Sequence, residues 1–294
     1  MSKGGLRLSI FIVLSALLFL TTPSFSQPSS KVIKINGSST VRPVVRIAAR
    51  VFGRKHKIRF EVKGGGSSKG VRSAGQGIVD IGMASRYLKD SEKQKYPDLI
   101  HHTIGYDGIA VIVNSKNPIK NITKKEIQGI YTGRIRNWKE LGGPDMKITF
   151  ISKEEGRSTL DLFIEYAHLE VKQEGEKMFH RIKGYKNFSK VPAEVIGPNS
   201  MAIVKVAENP GAIAYVSIGA AERAEHKLGK IKRLSLEGVE ATKENVKNGT
   251  YPITRPLNVV TKGKPTGIIK KFIDYLYSRQ GQNIVKNLDY IPLR

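Results

Sequence analysis

The sequence predicts an α/β protein with its ligand at the C-terminal ends of the strands. Three observations lead there. Strand-like and helix-like segments alternate from residue 31 onward. Three Ser/Thr-rich turns each stand between a strand and a helix. The chain has 294 residues, 39% hydrophobic and 26% charged, enough for two lobes with cores of their own.

Lys31 to Asn36 alternates polar and apolar and reads as a strand. Gly37-Ser38-Ser39-Thr40 follows. From Val41 to Phe52, Val44, Val45, Ala48, Val51 and Phe52 fall at helical spacing. Ile58 to Val62 is a second strand, followed by Gly64 to Gly70 and a short helix to about Gln76. Val79 to Ala84 is a third strand, ending at Ser85-Arg86. Gly108 to Asn114 is strongly apolar and reads as a strand. Thr123 and Glu126 have capping-box spacing and open a helix that runs to Tyr131. Trp138 and Leu141 fall in a loop. Lys147 to Ser152 is a strand, and Glu154 to Thr159 lead into a helix over Leu160 to Tyr166. Asn199-Ser200 precede a helix over Met201 to Glu208. Gly211 to Ser217 is a strand, and Thr266 to Ser278 a final amphipathic helix. No internal repeat or long linker interrupts the chain.

The Ser/Thr turns are Ser38-Ser39-Thr40, Ser67-Ser68 and Ser158-Thr159. A helix start offers unpaired N–H groups and partial positive charge, which suits a tetrahedral oxyanion. Hydroxyls add donors without charge, and neighbouring glycines let the backbone approach. A single such turn is more often only a helix cap; three in one chain, two beside glycines, make anion binding a real alternative.

Fifty Lys plus Arg face twenty-five Asp plus Glu, a formal net charge of +25. The excess suits nucleic acid, an anionic surface or small anions. The basic residues are spread without a clustered footprint or interleaved aromatics, so nucleic acid is not expected as a partner. There are no cysteines, which excludes disulfides, a thiolate nucleophile and Cys-based metal sites. The six histidines form no HExxH, and no carboxylate cluster appears. Neither an enzyme nor a cofactor is expected.

Residues 1–26 read as a secretory signal. Lys3 and Arg7 precede an apolar run from Leu8 to Leu20, and cleavage is expected after Ser26. That run is shorter than the roughly twenty residues of a membrane span. The expected compartment is a periplasm, with no lipid anchor.

Along its motifs the chain resembles the phosphate-binding subunit of the bacterial phosphate ABC transporter, in its shorter form. They are Gly37-Ser38-Ser39-Thr40-Val41, Gly65-Gly66-Ser67-Ser68-Lys69-Gly70-Val71, Asp80 to Arg86, Gly108 to Asn114, Glu155-Gly156-Arg157-Ser158-Thr159, and Asn209 to Val216. They keep the family's order over most of residues 27–294. The resemblance implies a class II periplasmic-binding fold: residues 27–110 and 217–294 in one lobe, 111–216 in the other, closing on one anion. It implies a monomer that delivers inorganic phosphate to a membrane permease. The alternatives are a receptor for another oxyanion, such as sulfate or molybdate, or a basic adhesion protein gripping anionic polymers.

Carried over by motif, Ser39, Thr40, Val41, Ser68, Gly156, Arg157, Ser158 and Thr159 would hold the anion, with Arg86 adding charge. Family members commonly place an Arg where this chain has Lys153. An Asp commonly follows Ala-Ser and accepts the proton of hydrogen phosphate; Arg86 stands there, and an Arg has no acceptor. Asp107, Glu154 and Glu155 are the candidates to replace it.

Overall fold

The computed structural model describes Met1 and residues 32–293. Apart from Met1, the leader expected over residues 1–26 lies outside the described residues. The first segment runs β1 (Val32–Gly37), α1 (Arg42–His56), β2 (Arg59–Gly64), α2 (Ser67–Gly75), β3 (Ile81–Ala84), α3 (Asp90–Lys95) and β4 (Leu99–Asn114). The second runs β5 (Asn121–Ile122), α4 (Lys124–Tyr131), β6 (Thr149–Lys153), α5 (Ser158–Tyr166), β7 (Leu169–Glu174), β8 (Lys177–Ile182), β9 (Ala193–Ile196), α6 (Asn199–Glu208) and β10 (Ala212–Ser217). Then come α7 (Ile218–Leu228), β11 (Ile231–Arg233), β12 (Ser235–Leu236), α8 (Lys243–Lys247), β13 (Thr254–Lys262), α9 (Gly267–Tyr277) and α10 (Arg279–Asn287).

The main sheet has the order β2-β1-β3-β13-β4-β10-β6-β9-β8-β7, with β11 also on β4. β1 pairs in parallel with β2 and β3, and β6 in parallel with β10 and β9. These are the α/β units that the alternation of segments predicts. β4 joins the two halves. Its residues Leu99 to Gly108 pair with β13, and Ile109 to Asn114 pair with β10 and β11. The C-terminal part of this strand was legible because Gly108 to Asn114 is apolar throughout; its first nine residues are mixed and were not.

Two large apolar clusters meet along β4. One gathers Ile33, Val44, Val45, Phe52, Met83, Ile104, Leu257, Phe272 and Val285. The other gathers Ile109 to Val113, Tyr131, Trp138, Phe163, Tyr215, Ile218, Leu234 and Ile253. The chain passes between them from Ile104 to Ile109 and again from Ile253 to Leu257. The second lies after β12 and α8, because the apolar faces of α7, β11 and α8 (Ile218, Ala221, Ile231, Val246) pack in the second cluster.

Several local expectations hold. Thr123 Oγ1 accepts from Glu126 N–H at 3.3 Å, while the Glu126 carboxylate accepts from Thr123 N–H at 2.7 Å. This is the predicted capping box. Trp138 and Leu141 begin and end a short 3-10 helix where a loop was expected. There the indole N–H donates to Gly211 O at 3.0 Å, fixing the buried ring. No helix among the described residues is long and apolar enough to cross a membrane.

Gly37 ends β1 at φ +135°, a conformation that L side chains rarely adopt. A Cβ there would press on Met83 O and lie 2.9 Å from Gly70 Cα, where α2 crosses β3. Gly37→Ala is expected to cost about 3 kcal/mol or more, as strained and overpacked sites do. A urea unfolding curve checks it; an unchanged midpoint would show that the close approach is not needed.

Candidate functional site

Five strands end at one place. Ser38 follows β1, Gly65-Gly66-Ser67 follow β2, Ser85 follows β3, Glu154 to Thr159 follow β6, and Gly197 to Asn199 follow β9. The parallel arrangement brings their C-terminal ends together, the position at which open α/β sheets take ligands. A tight pocket of about 10 Å³ lies there, lined by Ser38, Ser39, Thr40, Gly66, Ser67, Arg157, Ser158, Thr159, Gly197 and Asn199. It is far smaller than the roughly 300–1,000 Å³ of drug-sized ligand sites. Larger hollows lie elsewhere on the surface, one of them lined by Arg46, Arg50, Arg54, Lys57 and Arg59, but neither gathers the hydroxyls and strand ends of this pocket.

Four helices begin at this pocket: α1, α2, α5 and α6. No N-cap residue of these helices caps with its own side chain, although Ser38 Oγ accepts from Thr40 and Val41 N–H just ahead of α1. Elsewhere Thr123, Ser217, Thr242 and Ser278 do cap α4, α7, α8 and α10. The first N–H groups of a helix have no intrahelical partner, and the helix dipole is positive at that end. No carboxylate is among the lining residues.

The hydroxyls are wired together. Ser38 Oγ lies 2.9 Å from Ser85 Oγ, which lies 2.6 Å from Ser158 Oγ. Ser38 Oγ also accepts from Thr40 and Val41 N–H, at 3.2 and 3.3 Å. Ser67 Oγ accepts from Ser85 N–H at 3.1 Å.

Behind them lies a buried ion pair that sequence reading missed. Arg255, on β13, donates from Nε and Nη2 to Asp107 Oδ2 at 3.0 and 2.8 Å. Both side chains are essentially inaccessible, at 0% and 1% exposure. Arg255 further donates to Thr159 Oγ1 at 3.0 Å and Thr40 Oγ1 at 3.3 Å. These bonds occupy lone pairs of the two threonines and leave their O–H protons to donate. Asp107 had been noted as a possible acceptor; here it serves Arg255 and Gly219 N–H.

Of the residues expected from sequence, Ser39, Thr40, Arg157, Ser158 and Thr159 line the pocket together. Arg157 donates to Ser39 Oγ at 3.2 Å and pairs with Glu154 at 2.6 Å. Val41 turns its side chain into the first core cluster and brings only backbone to the turn. Ser68 and Gly156 bond to each other just outside the lining, Ser68 N–H to Gly156 O at 3.1 Å. Arg86 also lies outside it, held bidentately by Glu92 at 2.8 and 2.7 Å. Ser38, Ser67, Ser85 and Asn199 join the site; all but Asn199 stand in the glycine- and serine-rich motifs, which was the available signal.

Lys153 is fully buried at the end of β6, and its Nζ donates to Pro198 O at 3.2 Å. Burial, and then the nearby Arg157 charge, push its ammonium down to about 7. Glu154 opposes that shift and Arg255 adds to it. His180, buried behind Ser152, is pushed down to about 3 by burial.

Residues 22–280 match the family described as the PBP superfamily domain. The phosphate-binding protein PstS of Bacillus subtilis is 34% identical over 271 residues, covering 91% of this chain and 82% of that protein. PstS of Borreliella burgdorferi is 27% identical, covering 97% of both chains. Among solved structures, a Clostridium perfringens chain described as a phosphate ABC transporter substrate-binding protein with bound phosphate has a TM-score of 0.77. It is 36% identical and is covered over 90% of this chain and 100% of its own. A Vibrio cholerae ABC-type phosphate transport receptor has a TM-score of 0.68 at 30% identity, with 88% and 99% covered. Fold and site define a binding protein of the periplasmic class, with α/β halves around one small polar pocket. The chain belongs to the PBP superfamily and, within it, to the PstS phosphate-binding proteins of phosphate ABC transporters.

The low Lys153 value has a consequence for stability. A group whose folded pKa lies below its unfolded one binds more protons when unfolded, so stability rises with pH between the two values. For Lys153 that window runs from about 7 up toward the ordinary lysine value near 10.4; below it the full cost of the buried charge is present. Lys153→Met is therefore expected to raise the melting temperature at pH 7 and flatten the rise between pH 7 and 10. Thermal melts of both proteins across that range check it; parallel curves would count against a buried ammonium.

Proposed function

We propose that this chain is an extracytoplasmic, non-enzymatic receptor that captures inorganic phosphate and passes it to an ABC permease. The observation that carries the reading is the convergence of four helix N-termini and a set of Ser and Thr hydroxyls on one small pocket. Such a pocket stabilises a compact anion through backbone N–H groups and hydroxyl donors. Two guanidinium groups stand at its edge, Arg157 and Arg255, each with its own carboxylate. The compact set of converging donors suits a tetrahedral ion rather than a sugar or a peptide. The phosphate bound in the Clostridium perfringens relative supports the choice of ligand.

The residues proposed to hold phosphate are Ser39, Thr40, Arg157, Ser158 and Thr159, joined by Ser38, Ser67 and Asn199, with Arg255 behind the threonines. Val41, Ser68 and Gly156 contribute through the backbone of the turns. The proposed lobes follow the two apolar clusters: roughly residues 32–106 with 256–293, and 108–254 between them, hinged on β4 and β13. Bonds such as Arg157 to Ser39 and Arg255 to Thr159 then close the cleft around the ligand. The reading includes export by the leader with cleavage near Ser26, no lipid anchor, and a monomer. The net charge of +25 draws anions toward the cleft.

Isothermal titration of refolded residues 27–294 with phosphate is expected to give tight one-to-one binding. Thr159→Val keeps the shape but removes one donor, and is expected to weaken binding about tenfold, the cost of one lost hydrogen bond. No heat with phosphate in the folded protein would sink the proposal. Equal binding of sulfate would keep the receptor and retire phosphate as its particular ligand.

A further inference from the structure

Arg86 stands at the position where the resemblance led us to expect a group facing the ligand, yet its guanidinium is engaged elsewhere. Glu92 takes Nη1 and Nη2 at 2.8 and 2.7 Å. Nη1 also reaches Tyr87 O at 2.8 Å, and Nη2 reaches Ser68 Oγ at 3.1 Å. Nε faces Asp161 Oδ2 at 3.3 Å. The other oxygen of Asp161, Oδ1, takes Lys89 Nζ at 2.9 Å.

The placement of these groups matters. Arg86, Lys89 and Glu92 belong to one stretch, from the end of β3 through α3. Asp161 lies in the first turn of α5, whose Leu160 and Phe163 pack in the other apolar cluster. Asp161 is thus a carboxylate of one lobe facing two cations of the other: Lys89 donates to Oδ1, while Oδ2 and Arg86 Nε stand at ion-pair distance, both buried and neither with a hydrogen-bond partner. Arg86 is 5% exposed, Glu92 15% and Asp161 23%, while Lys89 is 45% exposed. Glu92 fixes the Arg86 fork, so little rotamer freedom remains to be lost when Asp161 arrives. Its carboxyl stays below the usual range even though burial works against ionisation, because Arg86 and the Lys89 N–H bond to its charged form.

Asp161 sits two residues after Thr159, so the latch and the ligand pocket share one helix turn. Seating α5 against the pocket brings Asp161 to Arg86 and Lys89. We propose that Arg86 and Lys89 with Asp161 form an interlobe latch that sets how fast the closed protein releases its anion, with Arg86 acting as a positioning residue and not as a ligand. This rests on the two-lobe reading given above. It also accounts for an Arg at the edge of an anion site without making it a contact: its charge is spent on two carboxylates.

The latch forms after encounter, so its loss is expected in the release rate and not in the association rate. With radioactive phosphate chased by unlabelled phosphate, Asp161→Asn is expected to release about five- to thirtyfold faster at low ionic strength, the range for a carboxylate with two cationic partners. Salt is expected to speed release from the wild type and to leave Asp161→Asn nearly unchanged. Asp161→Glu is expected to recover part of the slow release, and an unchanged melting temperature for Asp161→Asn shows that the helix is intact. Small-angle scattering gives a readout without phosphate: Asp161→Lys, which faces Arg86 and Lys89 with like charge, is expected to have a larger radius of gyration than the wild type. A release rate for Asp161→Asn within about twofold of the wild type overturns the latch. If the wild type takes up no phosphate, the proposed function fails instead, and superimposable scattering of wild type and Asp161→Lys then overturns the latch by itself.

Discussion

The buried Asp107–Arg255 pair sits where the architecture turns from one core to the other. Asp107 is on β4 and Arg255 on β13, paired across the ladder beside both chain passages. Removing two charges from water is costly, and the cost is offset only when geometry is good and the remaining polar atoms are satisfied. Here Asp107 Oδ2 takes two donors from Arg255, and Oδ1 takes the Gly219 N–H at the start of α7. The rest of the guanidinium is used on Thr40 and Thr159, beside helices that pack in different apolar clusters. One ion pair therefore ties together the two passages, the turn before α1 and the start of α5.

That arrangement changes the electrostatic account of the pocket. Arg157 and Arg255 are each matched by a carboxylate, so neither is a free charge waiting for an anion. What remains uncompensated is the set of helix N-termini, supported by hydroxyls whose acceptor side is already occupied. Lys153 is the exception among the nearby cations. It has no carboxylate at ion-pair distance among the described residues, and its burial draws the pKa down to about 7. A strongly basic chain thus presents a pocket whose attraction is largely dipolar and directional, while its excess charge lies on the outer surface.

Much of this could be read from the chain before any coordinates. The turns were legible because Gly, Ser and Thr runs between a strand and a helix have few other uses, and the capping box at Thr123 has a local signature. Arg255 was hidden for two reasons. Its partner Asp107 is 148 residues away, and the stretch that carries it contains Pro256, which argues against a strand interior. In the structure Pro256 pairs with Tyr106 next to an irregularity at Leu257/Asn258, a place where the ladder tolerates a missing donor. The hairpin of β7 and β8 escaped notice because both strands are half polar, and the turn at Gly175 was the signal available. The role of Arg86 depended on a helix from a different part of the chain, which no local pattern encodes.

The serine chain has a property of its own. Three hydroxyls, Ser38, Ser85 and Ser158, have three protons but only two mutual contacts. One proton is left at an end of the row. If the row runs from Ser38 to Ser158, the spare proton is on Ser158; if it runs the other way, it is on Ser38, and Ser158 offers a lone pair instead. Both orders keep the heavy atoms where they are. A row of neutral hydroxyls beside the pocket can therefore exchange donor for acceptor by rotation alone, which a fixed carboxylate cannot do, and so answer an oxygen whether or not that oxygen carries a hydrogen.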